Sequence, residues 1–270
     1  MTSDRTCRAL FAALLFVAAA LPARAQVYEK ILLPVVVEEP LAGAFGSSWV
    51  TDIRILNRGP EAVGVFGITP TCPFECNDPA VLNPGVTFRP KIFFAGGGLQ
   101  GVFLHAPTGF ASQLSFALRF RDLSRQSQTW GTELPVVREG MFRPDKVSLI
   151  DVPLTFGFRH VLRIYELDAT ERQALVRVRM YRIAPDNQEP NGALDLLLGE
   201  STIALQFPSP RIPDAHPGYA AVSDPSTIAP LGNATRVRLE IEPVTPGLRL
   251  WAFVTVVNNE TQHATVITPQ

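Results

Sequence analysis

At 270 residues the chain is long enough for one large domain or two ordinary ones. A hydrophobic share of 46% can fill a real core, and a charged share of only 18% argues against disorder. The formal net charge of −1 gives no electrostatic reason to expect nucleic acid or an anionic membrane as partner.

Residues 1–25 read as an export signal. Arg5 and Arg8 form a positive start, Ala9–Leu21 is an apolar run, and Ala23-Arg24-Ala25 presents small residues around a cleavage point. The run is shorter than the ~20 apolar residues that a membrane-spanning helix requires. Cys7 precedes it, whereas the lipid-carrying cysteine of a lipoprotein signal follows the apolar run. Cleavage after Ala25 removes three arginines and one aspartate, which takes the net charge from −1 to −3. The mature chain is therefore expected to be secreted, extracellular or periplasmic. No transmembrane segment is expected in it. A helix span finds no apolar stretch, and arginines on outward strand positions would cost an outer-membrane barrel ~2–4 kcal/mol each near the midplane.

From Gln26 onward the pattern is one of strands. Ile31–Val37 is a short apolar strand whose Pro34 suits a sheet edge. After a loop at Leu41–Ser48, Trp49–Asn57 alternates strictly: Trp49, Thr51, Ile53 and Ile55 fall on one side, Asp52 and Arg54 on the other. The turn Asn57-Arg58-Gly59-Pro60 predicts an antiparallel hairpin with Ala62–Thr69. Pro70–Pro84 is a turn-rich excursion carrying Cys72 and Cys76. Strands are expected at Thr87–Ala95, Gly101–Ala106, Ser112–Asp122 and Gln126–Val137. A polar stretch at Arg138–Pro144 marks the boundary between domains at 26–140 and 141–270.

The second part opens with Lys146–Leu154 and then repeats the alternating strand as Phe158–Leu167, where Leu162 and Ile164 take the places of Ile53 and Ile55, and Arg163 that of Arg54. Further strands are expected at Leu175–Tyr181, Asn191–Phe207, Tyr219–Val222, Thr235–Glu242, Leu248–Val257 and Gln262–Thr268. The 24 prolines and 19 glycines are spread along the chain as joints between short strands. About seven strands per half with no crossover helices is the signature of a β-sandwich, so the fold class is all-β, two tandem antiparallel β-sandwiches.

Ala42-Gly43-Ala44-Phe45-Gly46 followed by Trp49–Asn57, together with Ala252–Asn258 and Asn259-Glu260-Thr261 at the close, resembles uncharacterised exported bacterial proteins built of tandem immunoglobulin-like modules. The resemblance implies a fold and an export route. It brings no catalytic residue, ligand or cofactor. The second copy departs from the pattern, with Pro153–Gly157 standing where the first has its Ala-Gly loop.

Chemical motifs are few. Gly96-Gly97-Gly98-Leu99-Gln100-Gly101 matches a dinucleotide fingerprint in letters, but Val102-Phe103-Leu104 follows it where a helix is needed. Cys72 and Cys76 are expected to form a local disulfide, contributing roughly 2 kcal/mol. His105, His160, His216 and His263 are dispersed, and no G-x-S-x-G elbow occurs. Asp151, Glu166 and Asp168 could approach one another, and Asp186 with Glu189 could ligate calcium, but solvated polar surface accounts for them as well. No metal site and no cofactor is therefore expected.

Two surfaces remain as candidates. Arg119, Arg121, Arg177, Arg179, Arg236 and Arg238 could form a stripe for an acidic polysaccharide, or else an ordinary face cross-paired with Glu240 and Glu242. The strand Leu248–Val257 turns Leu248, Leu250, Ala252, Val254 and Val256 to a core. Its other face carries Arg249, Trp251 and Phe253, either for a protein or glycan partner or for internal packing, against the first domain or beneath the Pro208–Pro217 loop. The functional expectation is a non-enzymatic structural or adhesive module. The alternative is a carbohydrate-binding protein or accessory domain acting on an extracellular glycan.

Overall fold

The computed structural model describes residues 27–67, 79–89, 98–125, 127, 130–168, 174–183, 195–207 and 215–270. The expected export signal, Cys72 with Cys76, and the loop carrying Asp186 and Glu189 lie outside them. Within the described residues the protein is all-β. Every strand pair is antiparallel, and the one α-helical segment is a single turn at Thr108–Ala111.

The first half contains β1 (Tyr28–Leu33), β2 (Leu41–Ala42), β3 (Ser48–Asn57), β4 (Val63–Val65), β5 (Ala80–Leu82), β6 (Thr87–Phe88), β7 (Val102–Pro107), β8 (Leu114–Asp122), β9 (Thr132–Leu134) and β10 (Val137–Arg138). The second contains β11 (Val147–Pro153), β12 (Phe158–Glu166), β13 (Leu175–Arg182), β14 (Leu196–Ala204), β15 (Gly218–Val222), β16 (Arg236–Pro243), β17 (Leu250–Asn258) and β18 (Ala264–Ile267).

The alternation of β3 appears directly in its burial, with Trp49, Thr51, Ile53 and Ile55 inside and Arg54 outside. Its long partner is β8, in register from Trp49 opposite Asp122 to Asn57 opposite Leu114. Trp49 stacks on Phe120 at 4.6 Å and donates its indole N–H to Ser47 Oγ at 2.8 Å. The chain before it folds back so closely that a Cβ on Gly43 would sit 2.6 Å from that indole nitrogen. Only glycine fits there, which gives the Ala-Gly loop a steric reason. Asp122 ties the other end of the pair. Burial alone would raise its pKa, but hydrogen bonds from Ser48 N–H and from Ser124 N–H and Oγ–H hold it below the usual carboxylate range.

Two expectations about the first half are corrected. β3 does not form a hairpin with the strand that follows it: β4 pairs with β5, in a separate ribbon. Asn57 is the cause. Its side-chain amide donates to Glu61 O at 2.6 Å and Leu82 O at 2.9 Å, and its Oδ1 accepts from Gly59 N–H. The turn is thereby bent out of the β3 sheet. Nor is β1 an edge strand, since it lies between β10 and β7. It stops at Leu33, so Pro34, which has no N–H, never enters the ladder.

The strand expected at Gln126–Val137 divides at Pro135: β9 pairs with β8, and β10 crosses to β1. The β10-β1-β7 sheet continues through a bridge from Phe66 to His105 toward the β4-β5 ribbon. Opposite it lies β2-β3-β8-β9, with β6 paired to β3. Ile31–Leu33, Ile53, Ile55, Phe103 and Leu118 fill the space between.

The second half is a plainer pair of four-stranded sheets, β11-β16-β13-β14 and β15-β12-β17-β18. Val176, Val178, Met180, Val237, Leu239 and Ile241 from one sheet meet Leu162, Ile164, Leu250, Ala252 and Val254 from the other. A bulge in β11 between Leu149 and Val152 leaves Asp151 at φ 65.

Candidate functional site

The outer face of β17 is enclosed. β12 and β17 are the two central strands of their sheet, which sets Tyr165 beside Trp251 and Arg163 beside Phe253. Tyr165, Trp251 and Phe253 belong to the first-half core, packed with Ile31–Leu33 and Val102–Leu104. Tyr165 lies parallel to Phe253 at 6.2 Å and reaches across to donate its hydroxyl to the Pro34 carbonyl. Burial pushes its phenol pKa well above the ordinary tyrosine value. Gly101, at φ +76, makes room: a Cβ there would stand 2.9 Å from the Tyr165 ring. Arg163 turns its guanidinium to Thr255 Oγ1 at 2.7 Å, above the Phe253 ring.

At the rim of this joint Arg249 holds Asp168 through two hydrogen bonds of 2.8 and 3.0 Å and lies 3.5 Å from Glu139 of the first half. Arg143 and Leu250 exchange backbone hydrogen bonds, Phe103 N–H reaches Ala215 O, and His216 Nδ1 is 3.0 Å from Gly101 O. Arg249, Trp251 and Phe253 thus lie together, as their alternation predicts, in contact between the halves rather than on an open face. Of the two uses foreseen for that face, packing against the first domain matches this geometry.

The six stripe arginines separate into two environments. On β13 and β16, Arg177 meets Glu242 at 2.9 Å, Arg179 meets Glu200 at 2.9 Å and Glu242 at 3.0 Å, and Arg238 meets Asp195 at 2.7 Å and also Glu240. Lys146 adds a 2.9 Å pair to Glu240, and Arg236 pairs with Asp151. Burial acts to raise the Glu240 pKa, yet hydrogen bonds from Lys146 and Arg238 keep it low. Arg177, Arg179, Arg238 and Lys146 are therefore answered by Glu200, Glu240, Glu242 and Asp195.

Arg119 and Arg121, on β8, are placed differently. Both lie beneath Trp130, with guanidinium carbons 5.9 and 4.9 Å from its ring centroid. Trp130 is 65% exposed, against 8% for Trp49 and 2% for Trp251. Gly131 holds it there at φ +96, where a Cβ would strike Arg121 Cγ at 2.6 Å and Phe120 O at 2.8 Å. Across the ladder Arg119 stands opposite Asp52 on one side and Glu133 on the other. Asp52 is shared between Arg54 and Arg89, each at 3.5 Å. Among the described residues this face carries Arg54, Arg89, Arg119 and Arg121 together with Asp52 and Glu133.

The remaining candidates stay apart. Asp151 lies in one sheet of the second half and Glu166 and Asp168 at the end of a strand of the other, where Glu166 Oε1 accepts from Asp168 N–H. Gly98–Gln100 forms a 3-10 turn leading into β7, not a helix. His105 and His160 are buried, while His263 is exposed. Among the described residues no group of three or more His, Cys, Asp or Glu is placed to hold a metal ion, and no helix is long and apolar enough to cross a membrane. An open cleft of about 470 Å³ lies where β18 meets the first half, lined by Leu114, Phe116, Leu134, Arg138 and Val266.

No protein-family model matches the chain, and no match was found among curated proteins or solved structures. Sequence reasoning named Arg119 and Arg121 but passed over Trp130. Its signal was a tryptophan beside a glycine in the polar turn after an arginine-alternating strand.

Proposed function

We propose that this chain is an exported, non-enzymatic module of structural or adhesive character, made of two immunoglobulin-like sandwiches and working at the cell surface or in the extracellular space. The buried joint carries this reading. Tyr165, Trp251 and Phe253 lock the second half into the core of the first, so the halves act as one stiff body rather than as beads on a linker. Stiffness with outward-facing sheets suits a spacer or an adhesive surface. Fold alone does not fix function, and a second reading, carbohydrate binding, is favoured by one observation: the exposed Trp130 laid over Arg119 and Arg121.

In the producing organism a tagged full chain should be recovered outside the cytoplasm with Gln26 as its first residue by mass spectrometry. The purified protein should be retained on whole cells and turn over nothing in a broad hydrolase panel. An intact Met1 in the soluble mature form, or steady hydrolysis of any substrate, would sink the proposal.

A further inference from the structure

We infer that the adjoining turns carrying Phe45 and Phe156 attach the protein to a phospholipid bilayer with zwitterionic headgroups, by insertion of the two rings rather than by charge. The inference deepens the adhesive reading and rests on it. Three observations carry it.

The first is exposure. Phe156 is fully exposed (102%) and Phe45 is 68% exposed, although both are large apolar side chains. Residues 38–46 and 155–157 are exposed along their length, and among the described residues a Cβ on Gly46 or Gly157 would meet no atom within 4 Å. Both rings therefore stand on turns that project from the body of the molecule. Phe45 does so under strain: its φ of 56 and ψ of 34 are left-handed, a region that bulky residues seldom occupy. Glycine would take that place freely.

The second is that the two turns are tied together. Phe45 precedes β3, Phe156 lies between β11 and β12, and Asn259 follows β17. The Arg159 guanidinium carbon is 5.0 Å from the Phe45 ring centroid, and the group donates to Asn259 Oδ1 at 2.9 Å and Gln262 Oε1 at 2.7 Å. Asn259 in turn donates its side-chain amide to Phe156 O at 2.7 Å and its backbone N–H to Gly157 O at 2.8 Å. One turn from each half is thereby fixed beside the other, and the polar groups between them are bonded to one another.

The third is size and charge, which select the occupant. Two rings exposed to this degree offer roughly 300–400 Å², whereas a stable protein interface takes about 800 Å² from each partner. That area falls short of what a second copy or another globular protein requires. Bilayer attachment scales with the apolar area sunk below the headgroups and needs no complementary surface. Arg159 and the Asn259 amide suit the headgroup level, where an apolar tip is buried and its polar support stays wet. The net charge of −1, with Glu260 next to Asn259, supplies no attraction for anionic lipid. The bilayer inferred is therefore zwitterionic.

Flotation of the purified exported chain with phosphatidylcholine vesicles reads this site. The chain should float with the vesicles, and raising NaCl from about 0.05 M to about 0.5 M should not release it. Phe156→Ser and Phe45→Gly should each weaken the association about tenfold, and the two together should abolish it. Melting temperature should be unchanged in Phe156→Ser and no lower in Phe45→Gly, where strain is relieved. Val81→Ser and Leu196→Ser, at side chains 57% and 53% exposed on β5 and β14, should float as the native chain does. All forms share one N-terminus, so an apolar leader cannot produce a difference among them. The inference is overturned if the native chain does not float, if salt releases it, if the Phe45 and Phe156 variants float normally, or if Phe156→Ser destabilises the fold. A native chain that stays off vesicles but forms a dimer that Phe156→Ser dissociates would assign the rings to a contact between copies and overturn it too. If the chain is retained on whole cells but does not float, the adhesive reading stands and this site fails. If it does neither, that reading fails with it.

Discussion

His160 occupies the place in β12 that Thr51 occupies in β3, and the exchange has a consequence for pH. Thr51 is served on both sides: its hydroxyl oxygen accepts from Val37 N–H at 3.0 Å and lies 3.3 Å from Val35 O. His160 lies among Val152, Leu154, Leu162, Val222, Ile228 and Val254, and its Nε2 is buried without a partner among the described residues. Desolvation by burial lowers its pKa below the ordinary value of 6.5, and a hydrogen bond to the Pro153 carbonyl offsets this only in part. The unfolded chain therefore takes up the proton before the folded one does. Stability from this group is full above the unfolded pKa and is lost as pH falls through the depressed folded value. Melting temperature should drop as pH falls below the ordinary histidine value of 6.5, and His160→Gln should flatten that drop. An unchanged slope in the variant would exclude His160 as its source. Carboxylates such as Asp122 titrate in a lower window and do not confuse the comparison.

Among the elements, β17 has no solvent face. Leu250, Ala252, Val254 and Val256 point into one core and Trp251 and Phe253 into the other, which explains its almost uninterrupted apolar sequence. Trp251→Ala should cost about 3–5 kcal/mol, as large aromatic-to-alanine changes in cores do, measured by chemical denaturation. A loss below about 1 kcal/mol would show that the packing does not hold in solution. Strands of this kind were legible in advance: β3, β8, β12, β13, β16 and β17 fall within a residue or two of where alternation puts them. Partner choice was not. Whether β3 turns into a hairpin depends on Asn57 finding the Glu61 and Leu82 carbonyls, and Leu82 is 25 residues away. The site was half legible for the same reason. Alternation shows Arg119, Arg121, Arg177 and Arg179 on outer faces, but register decides which of them meet carboxylates. Trp130 lies in a turn, outside any periodicity.

At the level of the molecule, what matters is how far each half depends on the other. The sequence predicts that 26–140 and 141–270 fold semi-independently, and each half does have its own set of packed sheets. The joint sets a condition on that expectation. Tyr165, Leu167, Trp251 and Phe253 are at most 2% exposed only because the first half covers them. Fully burying an apolar side chain of this size is worth roughly 1.5–3 kcal/mol, so three aromatics and a leucine form a coupling comparable to the whole stability of a small domain. The Arg249–Asp168 pair at the rim is more than a third exposed and adds little to it. The full chain should therefore unfold in one transition, with calorimetric and van't Hoff enthalpies in agreement. A fragment spanning 141–270, which bares that aromatic face, should bind an apolar dye, self-associate and melt below the full chain; adding 26–140 should reverse all three. A fragment that stays monomeric, binds no dye and melts with the intact protein would mean that the halves are merely adjacent. The stiffness on which the proposed function depends would then be lost.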